Sequence, residues 1–238
     1  MKSIKELKIK IYADGADVKS MKQAYQEGIV KGFTTNPTLM RQAGVADYES
    51  FGKAVLAEIK ALPVSFEVLS DDFKEMEREA RKIYSWGDNV YIKIPITNTK
   101  GESSVPLIEK LSSDGLSLNV TAIFSLDQVR AVSEVLSNDS KSVVSIFAGR
   151  IADTGRDPIP YMKESVSIFK AKPNVEILWA SPREFLNIFQ ADECGCHIIT
   201  VTNDNFKKIP LIGKNLAEFS LETVEMFYRD AQSAGLVL

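Results

Sequence analysis

"NVYIKIP", residues 89–95, reads as a buried β-strand with a lysine near its centre, Lys93, between Ile92 and Ile94. Such a lysine must either reach water at one end of the strand or give up its charge, because an unpaired ammonium away from water is costly. Side chains alternate along a strand, so Val90, Ile92 and Ile94 share one face and Tyr91 and Lys93 the other. The same division recurs elsewhere. "VSFEV" (64–68) sets Ser65 and Glu67 opposite Phe66 and Val68, and "SLNVT" (117–121) sets Asn119 and Thr121 opposite Leu118 and Val120. "SVVSIF" (142–147) sets Ser145 and Phe147 opposite Val144 and Ile146, and in "IYAD" Asp14 opposes Ile11 and Ala13.

These runs belong to a longer series of 8–14, 32–36, 64–68, 89–94, 117–121, 142–147, 175–180 and 197–201. Segments with helical spacing follow at 17–28, 46–61, 72–86, 103–113, 126–137, 159–170, 183–192 and 214–233. Ser125 before "LDQVRAVSEVL" and Ser70-Asp71-Asp72 before "FKEMEREARKIY" are helix start signals. Eight strands alternating with eight helices, at roughly thirty residues per unit, predict an α/β fold: a single-domain (β/α)8 TIM barrel over 1–238. Residues of about 214–238 form a C-terminal helix and tail. An open doubly wound sheet is the alternative, but no strand is followed by the glycine-rich turn of a dinucleotide fold. Parallel barrel strands are covered on both faces and should be nearly all apolar. The polar exceptions, Asp14, Asn36, Glu67, Lys93, Thr121 and Ser145, gather near the C-terminal ends, where barrel enzymes place their chemistry. An interior ion-pair network without catalysis is the plainer reading, and five or six polar residues at one mouth weigh against it.

Composition narrows the chemistry. The 238 residues are 45% hydrophobic with a formal net charge of -3, the balance of a soluble globular protein. Neither Lys nor Arg is in excess, which argues against a nucleic-acid or anionic-membrane partner. No apolar run is long enough to span a bilayer, and no secretory h-region is visible at the N-terminus. A cytoplasmic location is therefore expected. Without export, the acceptor patterns at Asn119 and Asn138 are chance matches. Cys194 and Cys196 are too close for a Cys-x-x-Cys pair and read as reduced structural thiols. His197 is the one histidine, so a His-based triad or His/Cys metal site has no material, while a carboxylate-only magnesium site stays open.

Lys93 itself suits carbonyl chemistry. Only about one lysine in two thousand is deprotonated at neutral pH in water. Desolvation among Ile, Val and Tyr disfavours the ammonium. The neutral amine can attack a carbonyl and form a Schiff base, an electron sink that needs no metal. Asp14 and Glu67 offer acid/base capacity, and Thr121 can orient a water.

Along nearly its whole length the sequence resembles the transaldolases, especially the short bacterial subfamily that also contains fructose-6-phosphate aldolases. The resemblance is carried by "YADGAD", "GFTTNPT", "SFEV", "YIKIP", "NVTAIFS", "SIFAGRI" and "WASPRE". It implies that Lys93 is the Schiff-base lysine and that Asp14 is the acid/base at the carbon–carbon bond that breaks. Glu67 and Thr121 hold the water of imine formation and hydrolysis. Thr34, Asn36 and Ser145 bind the substrate, the last two through hydroxyls of the three-carbon unit, and Phe147 borders it. Arg150, Ser181 and Arg183 hold the phosphate, a role suited to the planar guanidinium fork. Either arginine alone would read as a surface ion pair.

The implied reaction moves a dihydroxyacetone unit from sedoheptulose 7-phosphate or fructose 6-phosphate to glyceraldehyde 3-phosphate or erythrose 4-phosphate. The partners are small sugar phosphates, with no cofactor and no metal, and the subunits assemble as a homo-oligomer, a pentamer or decamer. Within the family, Glu67 and Phe147 are similar to the transaldolase pattern, where aldolase members resemble Gln and Tyr. Phe147 removes a hydroxyl from the water site, so the enamine persists until an acceptor arrives. Reversible cleavage of fructose 6-phosphate is the rival activity, and a non-catalytic sugar-phosphate barrel is the rival of another class. "ASPR" departs from the family's "ASFR" at Pro182, Trp179 stands two positions before Ser181, and "PTLM" follows "GFTTN" where many members have a shorter polar residue; these changes bear on the acceptor.

Overall fold

Eight parallel strands close on one another in chain order: β1 (Lys10–Asp14), β2 (Gly32–Thr34), β3 (Val64–Glu67), β4 (Val90–Pro95), β5 (Leu118–Ile123), β6 (Ser142–Ile146), β7 (Val175–Trp179) and β8 (Ile198–Val201). The computed structural model describes residues 3–236, and the expected (β/α)8 barrel with a C-terminal helix is its architecture. The last two residues of the tail lie outside the described range.

Alternation builds two cores. Val64, Phe66, Val90, Ile92, Ile94, Leu118, Val120, Val144 and Ile177 are fully buried toward the helices. Inside the barrel, Tyr12, Val143, Leu178, Ala180 and Ile198 pack together with Tyr91 and Phe147 against them. Gly32 makes room for that layer: a Cβ there would stand 2.4 Å from Cζ of Tyr12, so any larger residue would expel the ring from the barrel. Trp179 is fully buried with the outer core, on the face opposite Leu178, and so is turned away from the mouth that Leu178 lines.

The helices are α1 (Val18–Glu27), α2 (Pro37–Gln42), α3 (Tyr48–Glu58), α4 (Phe73–Tyr84), α5 (Val105–Ser113), α6 (Leu126–Val135), α7 (Ala148–Asp153), α8 (Ile159–Ile168), α9 (Asn187–Glu193), α10 (Asn203–Phe206) and α11 (Leu216–Ser233). All eight expected helical segments occur, with shifted ends; the segment expected from 183 is helical only from Asn187. Three helices were not anticipated, α2, α7 and α10, of six, six and four residues. Such lengths complete too few turns for a 3.6-residue apolar stripe to show. The caps behave as expected: Ser125 accepts from the backbone N–H of Gln128 in a full capping box, and Asp72 accepts from Lys74 and Glu75. β5 runs two residues further than its sequence suggests. Its register with β6 slips between Val120 and Ile123, where Ala122 takes φ +59°.

Candidate active site

"TTN" does three jobs in three residues. Thr34 ends β2 and donates its hydroxyl to Oδ1 of Asp14 across the β1–β2 pairing, at 2.8 Å. The Thr35 carbonyl accepts from the Lys93 amine at 2.8 Å, while its own hydroxyl donates to the Ser65 carbonyl. Asn36 caps α2: Oδ1 accepts from the Leu39 N–H at 2.9 Å, which turns Nδ2 toward Oδ2 of Asp14, 3.4 Å away. Pro37 at the first helical turn needs no N–H there. A tight helix start thus aims a short strand end at two charged groups.

Lys93 neither reaches bulk water nor stands alone. It is 7% exposed, and its Nζ lies 2.9 Å from Oε2 of Glu67, its register partner on β3. The two side chains meet directly. Tyr48 holds the end of β3 by donating its hydroxyl to the Glu67 carbonyl at 2.8 Å. Across the mouth, burial pushes the Asp14 carboxyl above its ordinary range, against the opposing influence of Lys93 and the Thr34 hydrogen bond. A carboxylate so placed holds a proton more readily than one in water.

Beneath the lysine runs a polar layer. Ser145 donates its hydroxyl to Oδ1 of Asn119 at 2.7 Å, and Asn119 donates through Nδ2 to the Ser65 hydroxyl at 3.0 Å. All three are buried, so the Ser145 hydrogen is committed downward and its lone pairs are left for the mouth above. Thr121 is buried on β5 and lines the same cavity, of about 470 Å³, with Asp14, Thr34, Asn36, Glu67, Lys93 and Ser145.

The far wall is Phe147, Arg150 and Ser181. Phe147 packs on Phe124 at 5.5 Å between centroids and carries the Arg150 guanidinium 5.2 Å above its ring. Ser181 sits at φ +56°, a left-handed conformation unusual for a residue with a Cβ. Gly149 permits its placement, since a Cβ at 149 would stand 1.6 Å from the Ser181 carbonyl oxygen. Strained residues at a cavity edge are a mark of functional sites, and Ala122 and Ser181 both border this one. Arg183 does not line the cavity. Its guanidinium forms a bidentate pair with Asp153 at the end of α7, exposed on both sides. The chain leaves Ser181 through Pro182 toward that carboxylate, the partner nearest to the arginine's fork. Of the residues expected at the mouth, this is the one the fold holds apart.

Thr200, Gln42 and Thr38 also line the cavity and were not anticipated. Thr200 was legible, since alternation in "HIITV" opposes it to Ile199 and Val201. Gln42 and Thr38 lie on α2, whose existence the periodicity did not reveal. Cys194 and Cys196 are free and buried, burial raising both thiols, and His197 accepts from the Ile177 N–H through Nδ1 at 3.0 Å; none of the three lines the cavity.

A closed parallel barrel with ionisable groups at the C-terminal strand ends has the layout of barrel enzymes, and a lysine flanked by carboxylates is the part that suits carbonyl substrates. Residues 11–237 match the profile of the transaldolase/fructose-6-phosphate aldolase family. A relative named "Probable transaldolase" in Dehalococcoides mccartyi is 34% identical over 215 residues, 89% of this chain and 96% of its own. Another of that name in Caldicellulosiruptor saccharolyticus is 37% identical over 198 residues, 81% of this chain and 85% of its own. Among solved structures, a 2,3-dimethylmalate lyase matches with TM-score 0.56 at 13% identity, over 98% of this chain and 86% of its own, a likeness of fold alone. The chain belongs to the transaldolase/fructose-6-phosphate aldolase family and is an enzyme of the aldolase/transaldolase class. Among the described residues no helix is long and apolar enough to cross a membrane.

Proposed function

We propose that this protein transfers a dihydroxyacetone unit between sugar phosphates through a Schiff base on Lys93. The donor is sedoheptulose 7-phosphate or fructose 6-phosphate, and the acceptor is glyceraldehyde 3-phosphate or erythrose 4-phosphate. The observation that carries this reading is the buried Lys93–Glu67 pair opening on the same cavity as Asp14. Glu67 takes a proton from the Lys93 ammonium, and the freed amine adds to the ketose C2 carbonyl. The resulting hydroxyl leaves as water after protonation by Glu67, with Thr121 beside it, giving an iminium. Asp14 then takes the proton of the C4 hydroxyl. The C3–C4 bond breaks, its electron pair moves to the iminium, and an aldose phosphate leaves. The enamine attacks an acceptor aldehyde, Asp14 returns the proton to the new C4 hydroxyl, and hydrolysis frees Lys93. Ser145, with its hydrogen committed to Asn119, accepts from a hydroxyl of the bound unit, and Asn36 stands beside it. Arg150 and Ser181 receive the phosphate; Arg183 joins them only by leaving Asp153. Phe147 offers no hydroxyl to protonate the enamine, which favours transfer over release.

Borohydride added with fructose 6-phosphate tests this: the three-carbon unit should be fixed on Lys93, seen by peptide mass, and EDTA should leave activity intact. Label on another lysine, or loss of activity with chelator, refutes it.

Self-association into a pentamer or decamer belongs to the same reading. α11 buries none of its residues, and Leu216, Leu221, Val224, Phe227 and Tyr228 are each more than half exposed on it. A second copy of the chain is the partner such a helix fits. Sedimentation velocity should show a closed oligomer that Phe227→Glu with Val224→Glu dissociates; a monomeric wild type would sink the idea.

A further inference from the structure

β8 sends one polar side chain to the mouth, Thr200, and no step above uses it. Its hydroxyl lies 2.5 Å from that of Thr34, which in turn lies 2.8 Å from Oδ1 of Asp14. β8 and β2 flank β1 on either side, so the two threonines meet next to the strand that carries Asp14. Both are buried, which leaves little room for water to replace either.

Each hydroxyl has one hydrogen. When Asp14 is a carboxylate it only accepts, so Thr34 donates to it, and Thr200 must then donate to Thr34. When Asp14 carries a proton, its O–H can donate to Thr34, whose hydrogen turns to Thr200. The heavy atoms stay in place while the chain of donors reverses. We propose that Thr200 is a positioning residue for Asp14, completing through Thr34 a hydroxyl relay that keeps the carboxyl oriented and bonded in both protonation states. The proposal rests on Asp14 exchanging a proton during the reaction.

Hydrogen bonds to a carboxylate are stronger than those to a neutral acid, and linked bonds polarise one another. Losing the Thr200 hydroxyl therefore weakens the ionised form more, and the Asp14 titration should move up by about half to one pH unit. The other charges facing Asp14 are Lys93 on β4 and Glu67 on β3, with Asp17 capping the start of α1, Asp204 on α10 and Arg150 on α7 around the adjoining cavities. None of these changes in the variants.

The full-length protein labelled with ¹³C at aspartate Cγ provides the test, the Asp14 resonance being assigned with Asp14→Asn. Thr200→Val, nearly isosteric, should raise the Asp14 midpoint and lower kcat roughly three- to tenfold with little change in KM. Thr200→Ser should restore both. An unmoved midpoint in Thr200→Val, or the same shift in Thr200→Ser, overturns the relay. Should Thr200→Val not fold, Thr200→Ala is titrated instead; if neither folds while Thr200→Ser does, the threonine serves packing and the proposal fails. Borohydride trapping on wild-type Lys93 is read separately. Its absence would overturn the imine while the titration still decides the relay.

Discussion

Replacing Lys93 by methionine keeps most of the side-chain length and removes the charge, which strands Glu67. Its carboxylate is 17% exposed and loses the partner 2.9 Å away, and the Thr35 carbonyl loses its donor. Breaking a buried pair by deleting one member costs about 3–5 kcal/mol, because the survivor stays charged and desolvated. Glu67 borders the cavity and keeps some access to water, so the lower end, about 3 kcal/mol, applies. For a chain of this size that corresponds to a fall of about 6–12 °C in Tm. Glu67→Leu strands the more deeply buried ammonium and should cost at least as much. Removing both charges at once leaves no stranded ion, and replacing a buried pair by apolar residues is often neutral or stabilising. Lys93→Met with Glu67→Leu should therefore lie within about 1 kcal/mol of wild type, far from the roughly 6 kcal/mol sum of the single losses. Urea and thermal unfolding of all four proteins at one protein concentration measure this, since association would shift apparent stability. Stability should return in the double variant while borohydride trapping does not. Additive losses would show that the pair is not energetically coupled and would remove it as the organising contact of the mouth.

Phe147→Tyr should raise the ratio of free dihydroxyacetone release to transfer, measured by coupled assays with and without erythrose 4-phosphate; an unchanged ratio in a folded, imine-forming variant removes Phe147 as the control point. Arg150→Ala should lower kcat/KM for phosphorylated donors by about tenfold to a hundredfold while free dihydroxyacetone still traps on Lys93. Arg183→Ala, whose side chain rests on Asp153, should cost less, and equal losses in both variants would mean that Arg183 leaves its pair to bind substrate. Asp14→Asn should abolish transfer and raise Tm at neutral pH. The Asp14 carboxyl is raised above its unfolded value, so its contribution to stability is present at low pH and lost as pH rises through the folded pKa. The Tm gap should narrow as pH falls, because the raised Asp14 carboxyl takes up its proton before an unfolded one does, and a gap that widens on acidification contradicts the burial of Asp14.

The barrel was legible because its signals are local: apolar alternation in strands such as Val90–Pro95, helical spacing between them, and caps at Ser125 and Asp72. Alternation also sorted the two faces correctly, since a strand's pleat allows only two directions, and Lys93, Glu67, Ser145, Thr121 and Asp14 all line one cavity. What alternation does not encode is distance and direction beyond the strand ends. The direct Lys93–Glu67 contact depends on the stagger of β3 against β4, and the Thr200–Thr34–Asp14 chain on closure bringing β8 beside β1. Arg150 and Arg183 look equivalent in sequence, each following a strand. Yet a short helix and the Phe147 ring hold one over the mouth, while the Ser181 turn sends the other to Asp153. The bulge at Ala122, the seat of Ser181 on Gly149 and the turn of α2 are likewise decided only when distant segments pack. Residue type and spacing determined which groups this protein has for its chemistry, and ring closure determined which of them touch, because the shear between neighbouring strands is a property of the whole barrel.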